Sequence, residues 1–178
     1  MPERTRQAIV SAFNRLIAKA EIEKITTQMI AAEAEVSKAT FYRYFRDKYD
    51  VLNYNYQALL DHALERCDNY RDLFFELFCF ARDAWTGFRR AFYSTGVNSL
   101  ENFVYTYSKS VVEQITAQNR DGAPLTPEED MQVDVLCYGI SYMYKKWTLG
   151  QYPLSPAAAA DALFALMPES LKGLWFTA

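Results

Sequence analysis

Hydrophobic positions along most of the chain recur with the 3.6-residue period of an α-helix, and no useful length alternates with the period of a β-strand. The first segment carries one apolar stripe with its members at i, i+4, i+7, i+8 and i+11: Ile9, Phe13, Leu16, Ile17 and Ala20. Further helices are predicted over 26–34, 37–44, 47 to about 67, 73–80, 85–94, 99–118, 126–149 and 155–167. The pattern therefore predicts an all-α fold of about nine helices.

Turn formers and capping residues mark the ends of several of these helices. Thr126 is followed by Pro127, and Ser155 by Pro156, which is the usual order of a cap and the first helical residue. The segment 73–80 is apolar nearly all round, so a buried central helix is predicted there. Pro168 is expected to stop the last major helix.

The helices over 26–34 and 37–44 are short and are joined by only two or three residues, which is typical of a helix-turn-helix unit. Small or apolar residues are expected to pack the two helices together: Met29, Ile30, Ala34, Val36 and Phe41. Ser37 can cap the second helix, so that its N-terminal end faces a groove of double-stranded DNA.

The outward side of that second helix carries residue types that suit DNA. Ala39 and Thr40 are small enough to approach base edges and thymine methyl groups. Lys38, Tyr42 and Lys48 have the length and the donors to bind phosphates. The same short helix pair also occurs in helical bundles that do not bind DNA, so this reading needs further support.

A specific motif supplies that support. The run Thr27-x-x-Ile30-Ala31-x-x-Ala34-x-Val36-Ser37-x-x-Thr40-Phe41-Tyr42-x-Tyr44-Phe45-x-x-Lys48 resembles the DNA-binding domain of the TetR family of bacterial regulators. The resemblance implies an all-α homodimer, usually a repressor that a small ligand releases from a palindromic operator. It also implies a set of DNA contacts: Thr27, Ser37, Lys38, Thr40, Tyr42 and Lys48. One departure is Glu35, where the family commonly has glycine in the turn.

The chain is accordingly divided into a helix-turn-helix domain at 1–48 and a helical regulatory and dimerisation domain at 49–178. In part of the family, a pattern like Trp147-x-x-Gly150 followed by Ser155-Pro156 accompanies two last long helices that pair with their mates in a dimer. The residues expected at such an interface are Val133, Leu136, Ile140, Ala159, Leu163 and Leu166. The alternative is that these stripes face the core of their own subunit.

Aromatic residues make up 16% of the chain, with 13 Tyr and 12 Phe. Many fall in the middle helices, where they could line a pocket for a small aromatic or cationic effector. The candidate lining residues are Phe78, Trp85, Phe88, Tyr105, Tyr138, Tyr142 and Trp147. Aromatic rings are also common core fillers, so an ordinary packed core accounts for them equally well.

Charge and composition are compatible with a DNA-binding protein but do not identify the function by themselves. The formal net charge is −3, while residues 1–50 carry nine Lys/Arg and seven Asp/Glu, a mildly basic head on an acidic body. Three cysteines without a C-x-x-C pair favour reduced thiols in core settings. With no leader pattern or apolar run long enough to span a bilayer, a cytoplasmic protein that does not bind membranes is expected.

Enzyme chemistry finds little support in the chain. His62 is the only histidine, and no phosphate-binding glycine loop, metal-ligand spacing or cofactor motif is present. The sequence therefore predicts a DNA-binding transcriptional regulator, most often a repressor. The remaining alternative is a co-regulator of this architecture that acts through a protein partner without a tight operator of its own.

Overall fold

The computed structural model describes residues 2–83, 86–94 and 99–176, and the regular structure in those ranges is helical throughout. A short 3-10 turn at Ile22–Lys24 separates the first two α-helices. The α-helices are α1 (Pro2–Ile17), α2 (Thr27–Glu33), α3 (Lys38–Tyr44), α4 (Lys48–Leu64), α5 (Tyr70–Asp83), α6 (Thr86–Ala91), α7 (Leu100–Asn119), α8 (Pro127–Thr148), α9 (Pro156–Ala165) and α10 (Glu169–Lys172). The all-α fold predicted from the hydrophobic period is confirmed.

The chain divides into two compact units. The first comprises residues 1–59 and 84–100, and the second comprises 60–83 and 101–178. Helix α4 begins in the first unit, and its last residues belong to the second. The functional boundary placed after residue 48 stays a prediction.

The first unit is organised by the apolar stripe of α1. Ile9, Phe13 and Ile17 are at most 1% exposed, because α2 and α6 both pack against this helix. The guanidinium of Arg90, in α6, donates to the carbonyl oxygen of Ala18 at 3.0 Å, so α6 also closes the C-terminal end of α1. The predicted amphipathic first helix therefore provides the surface on which the helix-turn-helix unit is built.

In the second unit, α5 is the central helix, and it packs chiefly against α9 and α8. One face of α5 is buried: Tyr70, Leu73, Phe74, Leu77, Phe78 and Ala81. The burial predicted for this helix is limited to that face, since its other side is only half-buried at Phe75, Glu76, Cys79 and Phe80. The Tyr144 hydroxyl of α8 donates to the Leu77 carbonyl oxygen at 2.9 Å and fixes α8 on this helix.

Charged side chains join α7 to α8 along their length. The Lys145 ammonium lies 2.6 Å from a Glu101 carboxylate oxygen, and Lys109 lies 2.6 Å from Asp134. At the far end, both terminal nitrogens of Arg120 donate to Glu129 at 2.7 Å. Arg120, helped by the Thr126 N–H, lowers the pKa of the Glu129 carboxyl to about 2. Because the first ion pair joins the start of α7 to the end of α8 and the last joins the opposite ends, the two helices run antiparallel.

Several helix ends follow the capping residues of the sequence, and others differ from the prediction. Thr126 and Glu129 form the capping box that starts α8, and Ser155 caps α9 by accepting the Ala158 N–H at 3.2 Å. Helix α4 ends at Leu64, earlier than predicted. Pro168 does follow α9, but it also begins α10, which was not predicted.

The cysteine thiols are all free. Cys67 and Cys137 are buried, and burial raises the pKa of the Cys137 thiol to about 12. The prediction of a core position is wrong for Cys79, which is half-buried on the less protected side of α5.

Candidate nucleic-acid interface

Helices α2 and α3 are held together by a small apolar core. Ile30 and Ala31 of α2 and Phe41 of α3 are at most 3% exposed, as is Phe45 directly after α3. Met29 was also expected to pack between the helices, but it is 41% exposed, because Ile30 and Ala31 turn the adjacent side of α2 toward the core. The remaining predicted packing residues of the unit are buried or half-buried.

Each of the two helices begins at a hydroxyl cap. The Thr26 Oγ1 accepts the Met29 N–H at 3.1 Å, and the Ser37 Oγ accepts the Thr40 N–H at 3.0 Å. The Ser37 and Thr40 hydroxyl oxygens are also 2.9 Å apart. Ser37 and Thr40 therefore fix the first turn of α3, in addition to any contact with DNA that the sequence predicts for them.

Three predicted contact residues come together on one side of the pair. The Tyr42 hydroxyl lies 3.1 Å from Oγ1 of Thr27, at the start of α2. The Lys38 ammonium lies 5.8 Å from the centre of the Tyr42 ring. Lys38, Tyr42 and Ala39 are exposed, while Thr27 is half-buried. Two hydroxyls and an ammonium grouped in this way are suitable donors for a phosphate oxygen.

Lys48, at the start of α4, is also placed beside this unit. Its ammonium donates to the carbonyl oxygen of Ile25 at 2.9 Å and to that of Glu23 at 3.2 Å. The side chain is half-buried, and its ring neighbour is Tyr49. Lys48 thus stabilises the entry to α2, and one of its three N–H bonds remains for a phosphate.

The turn between the helices has the hydrogen bonds of a Schellman motif, with Glu35 as its left-handed residue. The Val36 N–H donates to the Ala31 carbonyl oxygen at 2.9 Å, and the Glu35 N–H donates to that of Ala32 at 3.1 Å. The φ angle of Glu35 is 55°. A side chain in this conformation is strained by contact between its Cβ and the backbone, which explains why glycine is favoured there.

Replacing Glu35 with glycine is expected to raise the free energy of unfolding by about 1 kcal/mol, because the strained Cβ is removed. Urea denaturation followed by circular dichroism measures the change. Glu35→Gln is the matched control, since it removes the charge and keeps the Cβ. An equal gain in the glutamine variant would show that charge, and not backbone conformation, limits stability at this turn.

Helix α8 has two apolar sides, and both recur with a helical period. The buried side contains Val133, Leu136, Cys137, Ile140 and Tyr144. The other side is 43–72% exposed at Met131, Val135, Tyr138 and Tyr142, which we call the outer stripe. Of the residues predicted at a dimer interface, Val133 is 0% and Ala159 is 4% exposed within the chain itself, whereas Leu166 is 70% exposed. The outer stripe and Leu166 therefore form an apolar surface that is available to another chain.

An open groove of about 760 Å³ lies beside the outer stripe. Three of the predicted interface residues, Leu136, Ile140 and Leu163, are mostly buried but line this groove together with Val135 and Leu166. Gly139 leaves space along it, because, apart from its chain neighbours and the nearby backbone of its own helix, no atom lies within 4 Å of where its Cβ would be. The groove and the outer stripe form a continuous apolar face on α8 and α9.

The aromatic residues of the second unit that were predicted to line an effector pocket have different ring partners. In the second unit, the Phe78 ring packs against Trp147 at 4.9 Å, whereas Tyr105 packs against the exposed Tyr138 at 5.7 Å. Tyr142 is 43% exposed. Phe88 belongs to the first unit, where it stacks on Tyr56, and Trp85 lies outside the described residues. The Tyr105 hydroxyl donates to Asp134 at 2.8 Å and is thereby engaged within the α7–α8 contact.

Two further properties concern other classes of site. Among residues 2–83, 86–94 and 99–176, no group of three or more His, Cys, Asp or Glu side chains is arranged to hold a metal ion. No helix in the same ranges is both long and apolar enough to cross a membrane.

The family model of the bacterial regulatory proteins, tetR family, matches residues 9–54, which contain the second half of α1, all of α2 and α3, and the start of α4. The resemblance in the motif is thereby confirmed for the N-terminal region. No curated protein sequence matches the chain.

Solved structures of transcriptional regulators share the fold over the whole chain. The dihydroxyacetone kinase operon activator DhaS is 13% identical with a TM-score of 0.61, covering 97% of this chain and 98% of its own. NalD, the secondary repressor of the MexAB-OprM multidrug efflux pump in Pseudomonas aeruginosa, is 18% identical with a TM-score of 0.53 over 100% of both chains. The R. erythropolis repressor QsdR, from the TetR family, is 13% identical with a TM-score of 0.50, over 98% and 97%. At these identities the comparison shows the fold alone.

Proposed function

We propose that this chain, which carries a TetR-type helix-turn-helix domain on a TetR-like all-α fold, is a sequence-specific regulator of transcription that binds a palindromic operator as a homodimer. The observation that carries the proposal is the geometry of α3. Ser37 caps this helix, Phe41 anchors it in the core, and Lys38, Ala39 and Tyr42 remain exposed on its outer side. An α-helix presented in this way fits the major groove, with flanking hydroxyls and ammonium groups on the phosphates.

The proposed homodimer uses the apolar face of α8 and α9. Val135, Leu166 and Met131 are 68–72% exposed, which leaves a continuous apolar surface of the kind that marks a protein interface. A two-fold dimer places two copies of α3 on successive turns of DNA, about 34–36 Å apart, and so explains a palindromic operator. A second copy of the chain is therefore the proposed occupant of this face.

Repression with release by a small molecule is the proposed mode of regulation. NalD and QsdR are repressors and DhaS is an activator, so proteins of this fold include both repressors and activators. Support for an effector comes from the second unit, where the Tyr70 and Thr116 hydroxyl oxygens are buried without a hydrogen-bond partner among the described residues. An unsatisfied buried hydroxyl costs about 1–3 kcal/mol, so a bound polar molecule would stabilise the unit. We also propose that the protein has no enzymatic activity and acts in the cytoplasm.

The Tyr42→Ala variant tests the DNA-binding proposal. We expect binding to an operator fragment to weaken roughly tenfold at constant salt, because the hydroxyl that lies beside Thr27 and the ring beneath Lys38 are both lost. Fluorescence anisotropy at several salt concentrations measures the affinity, and log K for the unaltered chain is expected to fall linearly with log salt.

Tyr93→Ala is the matched control, since Tyr93 is also an exposed tyrosine of the first unit, at 68%, and lies outside the helix-turn-helix. Its affinity and the helical circular dichroism of both variants are expected to be unchanged. Equal binding by the Tyr42→Ala variant and the unaltered chain would remove Tyr42 from the interface. Affinity that does not respond to salt would contradict binding to the phosphate backbone.

A further inference from the structure

The middle of the exposed face of α3 lies opposite its buried residue, Phe41. At 100° per residue, Ala39 and Arg43 each lie about 160° around the helix from Phe41, which is 0% exposed. Both are exposed, and they are one turn apart on the same ridge. Tyr42 and Lys38 lie to one side of that ridge, beside Thr27. When α3 enters a groove, the ridge of Ala39 and Arg43 faces the base edges, while the flank faces a phosphate strand.

Arg43 differs from the other basic side chains of this region. Five Lys or Arg residues lie between positions 24 and 48, all of them described, and four have a partner within the chain. Those four are Lys24 with Glu21, Lys38 over the Tyr42 ring, Arg46 with Asp50, and Lys48 with the carbonyl oxygens of Glu23 and Ile25. The Arg43 guanidinium has no hydrogen bond, ion pair or ring contact among the described residues. Its planar set of donors is therefore fully available to a ligand.

We infer that Arg43 determines operator specificity by donating two hydrogen bonds to the O6 and N7 atoms of one guanine in each half-site. This inference rests on the proposed DNA-binding function and names the base class that α3 recognises. Guanine presents two acceptors on its major-groove edge, and the guanidinium fork matches their spacing. Ala39, one turn earlier on the ridge, has no bulk to hold α3 away from the bases. The sequence motif alone does not reveal this role, because position 43 is a variable position of the motif quoted above.

Measured affinities for an operator and its single-base-pair variants test the inference. The operator is first obtained by selecting random double-stranded DNA with the unaltered full-length chain. We expect one symmetric guanine whose replacement weakens binding of the unaltered chain by roughly 10- to 100-fold per half-site. In the Arg43→Ala variant this preference is expected to disappear, while preferences at the other positions persist. Arg43→Gln is expected to favour adenine at the same position, since a glutamine amide pairs with adenine N6 and N7.

Arg46→Ala is the matched control, because it removes the same charge from an exposed arginine that lies beyond α3 and pairs with Asp50. It is expected to keep every base preference. If Arg43→Ala weakens binding to all sequences uniformly, Arg43 contacts phosphate and the inference is overturned. Unchanged affinity and unchanged base preferences in Arg43→Ala would overturn it as well. If the unaltered chain enriches no DNA sequence, the proposed function itself fails. If the unaltered chain enriches a site and Arg43→Ala keeps every base preference of that site, only the inference about Arg43 fails.

Discussion

A chain carrying both Val135→Glu and Leu166→Glu is expected to be a folded monomer that binds its operator at least 100-fold more weakly than the unaltered chain. The two side chains are 72% and 70% exposed, so glutamate is well hydrated there in a monomer. In a two-fold dimer each substitution occurs twice, and four carboxylates would be transferred from water to an apolar contact. A monomer also loses the gain in affinity that comes from binding two half-sites at once.

Sedimentation equilibrium at micromolar concentration measures the mass, and anisotropy measures the operator affinity. Gln114→Glu with Gln118→Glu is the matched control, since these exposed α7 residues add the same charge outside the apolar face. The control is expected to remain a dimer with full affinity. A double variant at 135 and 166 that still sediments as a dimer would place the interface elsewhere.

The Phe41→Ala variant is expected to lose about 3–5 kcal/mol of stability and, with it, operator binding. Phe41 is 0% exposed, and its ring contacts those of Tyr42 and Phe45 at 5.5 and 6.2 Å. Removing the ring leaves a cavity between α2 and α3 that two seven-residue helices cannot close without changing their angle. Urea denaturation measures the loss.

The exposed neighbour Tyr42 provides the comparison for this experiment. Tyr42 is 49% exposed, so Tyr42→Ala is expected to change stability by less than about 1 kcal/mol while it weakens DNA binding. The two adjacent substitutions therefore separate stability from contact. A Phe41→Ala variant of normal stability would mean that Phe41 does not anchor α3.

The helix-turn-helix could be predicted from the sequence almost in full, because its determinants are local. The caps at Thr26 and Ser37 act within three residues, and the burial of Ile30 and Phe41 follows from the short joint between two helices. The exception was Met29, whose exposure depends on the angle between α2 and α3. Tertiary packing determines that angle, and the helical period of the sequence does not.

The sequence indicated that α8 and α9 carry an apolar face for dimerisation, but it did not indicate which side of α8 that face occupies. In α8, the stripe that begins with Val133 and the stripe that begins with Met131 both have helical spacing, so periodicity cannot distinguish the subunit core from an outer surface. Hydrophobicity alone favoured the buried stripe, because two tyrosines, Tyr138 and Tyr142, belong to the exposed one. The hydrogen bonds from the Lys48 ammonium to the carbonyl oxygens of Glu23 and Ile25 could not be predicted either. These carbonyl groups lie more than 20 residues earlier in the chain, and only the tertiary fold brings them close to Lys48.

Selection of random double-stranded DNA by the full-length chain tests the central claim most directly. We expect enrichment of one site with two-fold symmetry, whose half-sites are centred one helical turn or a multiple of it apart. That result would agree with a dimer that presents two capped α3 helices to the major groove. Recovery of sequences without any common motif, from a chain that is folded by circular dichroism, would contradict sequence-specific DNA binding.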